Sequence, residues 1–245
     1  MRVFYDVDTQ NDFMNKDGAL YVPDAELIKP NLKMLTEFAR SKAIPIIGSV
    51  DRHFGTEEYK AREGELSKWG GPFPEHCMNG KYGEKKIVET TWWCCCPSIE
   101  TDRDNDYGRY LENVLDFNKI GFENNFLFAT RLDFLSKKLR NKEQSNSFDP
   151  VYFEKQSYDV FTNPTLEVFL KYAGVKEAIV YGVATDFCVK AAVLGMQKRG
   201  IDCYVVEDAI KGVFVDSTKS ALEEMTKAGA KFVTTKEILE GVRKW

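Results

Sequence analysis

Four side chains of reactive type stand where apolar runs give way to polar residues. Asp8 follows the run 3–7, Asp51 follows 43–50 (AIPIIGSV), Lys155 follows Val151-Tyr-Phe, and Cys188 comes shortly after 178–183 (AIVYGV). A thiol attacks a carbonyl carbon only as thiolate, and its free pKa is about 8.5. Placement in the first turn of a helix lowers that value, because unpaired N–H groups and the helix dipole favour negative charge. The same N–H groups can hold an oxyanion. The segment Gly182-Val-Ala-Thr-Asp-Phe-Cys reads as a tight strand-to-helix turn that suits both roles. The plain alternative is a buried structural cysteine, the commonest fate of a free thiol.

Both histidines, His53 and His76, lie in the polar stretch 51–83. Asp51-Arg-His53 sets two ligand-type side chains on the same side of an extended segment, and Pro74-Glu-His76-Cys supplies a second imidazole. One Asp and two His with open positions suit a divalent cation, zinc before iron or manganese. Glu57 and Glu58 are candidates for a further carboxylate. Two surface histidines in a polar loop are the competing interpretation.

The elements that must position these groups follow from the hydrophobic pattern. Residues 24–39 carry Leu27, Leu32, Leu35 and Phe38 at helical spacing. After Pro164 the pattern is regular: helices at 165–173, 185–199 and 217–228, each closed by a glycine, and strands at 178–183, 203–206 and 232–234. Strands separated by helices imply a mostly parallel sheet with helices on both faces, a three-layer α/β fold. In such a sheet ligands bind beyond the carboxyl ends of the strands, where the four reactive residues are expected. The chain length suits one domain over 1–245. An insertion at about 90–150 holds Trp92-Trp93-Cys94-Cys95-Cys96, an acidic run 100–106, and helical patches at 110–115 and 130–139.

A formal charge of −4 without a basic stripe argues against a nucleic-acid surface. The opening residues enter a strand pattern at once, and no apolar run of about 18 residues occurs, so a cytoplasmic protein without membrane association is expected. Six cysteines in a chain of this length do not make a disulfide framework. Cys94–Cys96 lack CxxC spacing, so a hydrophobic patch beside Trp92 and Trp93, suited to an oligomer contact, is a simpler interpretation than a structural zinc site.

Several ordered motifs now resemble one family. Val7-Asp-Thr-Gln-Asn-Asp-Phe13 looks like the opening motif of the isochorismatase-like cysteine hydrolases, and Gly182 to Val189 resembles their nucleophile motif in its nicotinamidase form. Asp51-Arg-His53, followed by Gly-Gly-Pro-Phe-Pro-Glu-His76-Cys, resembles the nicotinamidase metal loop. The resemblance covers roughly 1–90 and 150–235. It implies Asp8 as the base for Cys188, Lys155 as the third catalytic residue, and Asp51, His53 and His76 as metal ligands. Glu57 stands where many relatives have another histidine ligand. The backbone N–H groups of Ala184 and Cys188 would form the oxyanion hole, with a cis peptide between Val183 and Ala184. Phe13 and Phe73 would flank a pyridine ring; Phe73 replaces the usual tryptophan, for which Trp69 would compensate.

The activity so implied is metal-dependent hydrolysis of nicotinamide to nicotinate and ammonia through a Cys188 thioester, a step of NAD salvage, by a homo-oligomer acting on small-molecule amides. A related amidase for a ureido or carbamoyl compound is the first rival, because the insertion can reshape the pocket. A catalytically silent binding protein is the second, and the joint presence of Asp8, Lys155 and Cys188 argues against it.

Overall fold

The computed structural model describes residues 1–91, the backbone of 114–115, and residues 150–241. Among these, seven strands form one sheet in the order β3-β4-β2-β1-β5-β6-β7, every pair parallel. They are β1 (Arg2–Val7), β2 (Ile46–Asp51), β3 (Val114–Leu115), β4 (Val151–Lys155), β5 (Glu177–Val183), β6 (Asp202–Lys211) and β7 (Lys231–Val233). The helices are α1 (Asn11–Met14), α2 (Lys29–Ser41), α3 (Pro164–Ala173), α4 (Lys190–Gln197), α5 (Val215–Lys227) and α6 (Thr235–Glu240).

A parallel sheet needs cover on both faces, and side-chain alternation along each strand supplies two cores. Val3, Tyr5, Val7, Phe153 and Val180 meet Leu166 and Phe169 of α3, Val193 and Met196 of α4, and Met225 of α5. Phe4, Ile46, Ile179 and Tyr181 meet Leu32 and Leu35 of α2 and Ile238 of α6 on the opposite face. The three-layer architecture expected from the alternation of elements is therefore observed. Local signals set the helix ends: Asn163 accepts a hydrogen bond from the Thr165 N–H ahead of Pro164, and Gly174 closes α3 in the left-handed conformation.

Three expectations are corrected. Leu27 is exposed, because residues 25–28 form a 3-10 turn that shifts the buried stripe of α2. β6 runs well past 206, since its continuation to Lys211 pairs with the end of β5 after a register shift. The helical patch at 110–115 ends in strand, with Val114 and Leu115 beside Tyr152 and Phe153 of β4. The tryptophan–cysteine run, the acidic run and the patch at 130–139 lie outside the described residues.

Candidate active site

Parallel pairing brings the carboxyl ends of β1, β2, β4 and β5 to one edge, and strand order reverses on either side of β1. Asp51 and Lys155 are the last residues of β2 and β4 and are register partners. Asp8 follows β1 in a left-handed turn at φ 46°. Beyond β5, the Val183–Ala184 peptide is cis, as the resemblance implied, and leads into a π-helical turn over Thr185–Val189 that carries Cys188. Gly182 makes this approach possible: at φ 118° its hydrogen faces β1, where a Cβ would lie 2.0 Å from the Val7 carbonyl oxygen.

Lys155 is the hub. Its Nζ lies 2.9 Å from Asp8 Oδ2 and 3.5 Å from Cys188 Sγ, and it also pairs with Asp51 Oδ1. Ser49 Oγ donates to Asp8 Oδ1 at 2.7 Å and fixes the carboxylate. Burial lowers the Lys155 pKa, yet Asp51, Asp8 and Cys188 together hold it well above the ordinary value, so the ammonium persists. Burial also raises Asp8, against the pull of Lys155, which makes its carboxylate a better proton acceptor than a solvated one.

Cys188 differs from expectation in its resting state. Burial pushes the thiol well above its usual range, and the charges of Asp8 and Asp51 add to this, against the opposing pull of Lys155. A thiol sealed to 8% exposure loses the solvation that a thiolate needs, and this outweighs its place in a helical turn. Proton transfer from Cys188 to Asp8 beside a permanent ammonium is the chemistry this geometry allows.

A second cluster adjoins the first through Asp51. Ligand-type atoms of Asp51, His53, Glu65 and His76 all lie within 4.8 Å of one another. His76 Nδ1 lies 2.8 Å from the Pro74 carbonyl, so its N–H donates there and Nε2 turns toward Asp51 Oδ2 at 3.5 Å. His53 Nε2 lies 3.4 Å from Glu65 Oε1. Neither ring nitrogen of the fully buried His53 makes a hydrogen bond among the described residues, an arrangement that is costly unless another partner binds there. Two imidazoles and two carboxylates form a donor set that fits one divalent cation such as zinc. Burial opposes the charge on Asp51, but Lys155 and both histidines hold its pKa well below the usual carboxylate range.

Glu57 is not part of this cluster. Gly55 turns the chain outward at φ 67°, leaving the Glu57 side chain 78% exposed and 3.5 Å from Lys60 Nζ; Glu58 is exposed as well. Glu65 occupies the place expected of Glu57, with its Oε2 accepting from the Tyr158 N–H at 3.1 Å. Nothing in the spacing singled it out, since 51–83 holds five glutamates. Phe13 and Phe73 do stand beside the cluster, 5.5 and 6.3 Å from the His76 ring. Trp69 does not join them: Lys60 and Lys68 lie over its ring at 5.1 and 5.0 Å. The further aromatic is Phe187, 5.6 Å from Phe73, which its position beside Cys188 could have flagged.

The family model described as Isochorismatase domain matches residues 116–237. A nicotinamidase of Acinetobacter baylyi is 33% identical over 82 residues, a local match spanning 33% of this chain and 38% of that protein. A nicotinamidase of Escherichia coli is 26% identical over 238 residues, covering 93% and 92% of the two chains. Among solved structures, the pyrazinamidase of Pyrococcus horikoshii in complex with zinc superposes with a TM-score of 0.65 at 24% identity, over 95% of this chain and 98% of that one. The N-carbamoylsarcosine amidase of Thermoplasma acidophilum gives 0.62 at 18% identity, with 96% of each chain covered. The chain belongs to the isochorismatase-like hydrolases, in their nicotinamidase-like group. It is an amidohydrolase of that family.

Proposed function

We propose that the chain is a metal-dependent nicotinamidase that converts nicotinamide and water to nicotinate and ammonia, a reaction of NAD salvage. The observation that carries this reading is the contact of Lys155 with Asp8, Asp51 and Cys188 beside an Asp, Glu and two-histidine cluster. Asp51, His53, Glu65 and His76 would hold the cation. When bound, it supplies a fixed positive charge that orients a lone pair of the substrate.

The protein's own groups carry the bond changes. Asp8 takes the Cys188 proton as sulfur bonds to the amide carbon, and the Lys155 ammonium stabilises whichever partner is charged. The backbone N–H groups of Ala184 and Cys188 hold the developing oxyanion; loss of one such donor typically raises a barrier by about 2.7–4 kcal/mol. Asp8 returns the proton to the leaving nitrogen as the C–N bond breaks, releasing ammonia and leaving a thioester. It then accepts a proton from the water that cleaves the thioester, and the thiol is restored. Phe13, Phe73 and Phe187 would enclose the planar ring. One hydrolase domain spanning 1–245, carrying the insertion at 90–150 and assembling as a cytoplasmic homo-oligomer, completes the proposal.

A carbamoyl or ureido amide is the second substrate reading, favoured by the structural likeness to the carbamoylsarcosine amidase. Ammonia release from nicotinamide is to be measured beside a panel of such amides. Turnover of nicotinamide at least tenfold above every other amide is expected, with loss of activity by a factor of about 10³ or more in Cys188→Ala. Preference for a carbamoyl compound rejects the nicotinamide assignment, and wild-type turnover in Cys188→Ala rejects the thioester.

A further inference from the structure

We propose that Glu63 is a positioning residue for the metal centre, fixing the tautomer and orientation of His53. This rests on the metal reading above. Glu63 is fully buried and anchors the loop, its two carboxylate oxygens accepting from the Phe54 and Gly55 N–H groups. Its Oε1 also lies 3.8 Å from His53 Nδ1, on the side of the ring away from Glu65. His53 Nε2 is the nitrogen nearest Glu65, which itself approaches His76 Nε2 to 3.8 Å, so the Nε2 atoms converge on the centre. That leaves Nδ1 to carry the proton, and Glu63 is the acceptor that faces it. The two imidazoles are thereby held in different ways. His76 is set by a neutral carbonyl, that of Pro74, whereas His53 faces a carboxylate.

The test is zinc affinity of the whole protein, measured by competition with a chelator, for wild type, Glu63→Gln, His53→Ala and the double variant. Glu63→Gln keeps the shape and one backbone contact but loses the charge, and a 10–100-fold weaker affinity is expected. In the His53→Ala background the same change is expected to alter affinity less than threefold, because the residue through which Glu63 acts is gone. An equal loss in both backgrounds would mean that Glu63 merely anchors the loop, which overturns the proposal. So would wild-type affinity in Glu63→Gln. If Glu63→Gln does not fold, Glu63→Asp, which keeps the charge farther from the ring, takes its place with the same two comparisons. A wild-type protein that binds no divalent cation sinks the metal reading itself, and this inference with it.

Discussion

At the scale of single residues, the site is governed by how burial and charge divide the protons. Lys155 keeps its proton, while Asp8 and Cys188 both bind theirs more tightly than in water, so one proton can pass between them at modest cost. The metal cluster obeys the same logic with the opposite demand, because imidazoles must be neutral to bind a cation. Burial lowers the His76 pKa, but Asp51, the Pro74 carbonyl and Glu65 raise it to a net value above the ordinary 6.5. Binding therefore displaces a proton, and zinc affinity is expected to fall as pH drops through the raised His76 value, approaching tenfold per pH unit below it. Chelator competition from pH 8 to pH 5 measures this; an affinity independent of pH would remove His76 from the ligand set. Ligand choice is testable in the same assay. Glu65→Gln is expected to weaken zinc binding by at least about tenfold, and Glu57→Gln to leave it unchanged, since of these two only Glu65 reaches the imidazoles. The reverse order would reinstate Glu57.

At the scale of elements, the site depends on how closely β1 and β5 approach. Their register pairs Val7 with Gly182, directly before the two turns that deliver Asp8 and Cys188. Gly182→Ala would force a Cβ against the Val7 carbonyl oxygen in a backbone conformation that alanine avoids. A stability loss of at least about 2 kcal/mol in urea unfolding is expected, with ammonia release falling further than stability explains. Normal stability and activity in this variant would show that the two strand ends are not constrained in this way.

At the scale of the whole molecule, another buried ion pair joins the segment ahead of the insertion to the central strand. Lys86 Nζ lies 2.6 Å from Asp6 Oδ2 and 4.6 Å from the centre of the Tyr152 ring, with both charged side chains at 2% exposure or less. Burial lowers the Lys86 pKa, and Asp6 offsets part of that effect. The Ile87 N–H donates to the Thr9 carbonyl and the Asn11 N–H to that of Lys85, so the same segment also fastens the turn after Asp8. Lys86→Met is expected to cost about 3–5 kcal/mol by stranding Asp6, and Asp6→Leu combined with Lys86→Met markedly less. Urea unfolding compares the two, and a single-variant loss below about 1 kcal/mol would show that the pair is unimportant to the fold.

The sequence by itself determined what depends on periodicity and order. Apolar runs alternating with helical stripes specified a parallel three-layer sheet, and parallel strands necessarily bring residues that follow them, Asp8, Asp51, Lys155 and the turn to Cys188, to one edge. Tertiary structure alone decided what depends on a loop's path through space. One turn at Gly55 sends Glu57 into solvent, and the return of the chain sets Glu65 against both imidazoles, while Trp69 leaves the ring cluster and Phe187 enters it. The resting protonation of Cys188 was also beyond the sequence, because it follows from burial and from charges that meet only after folding.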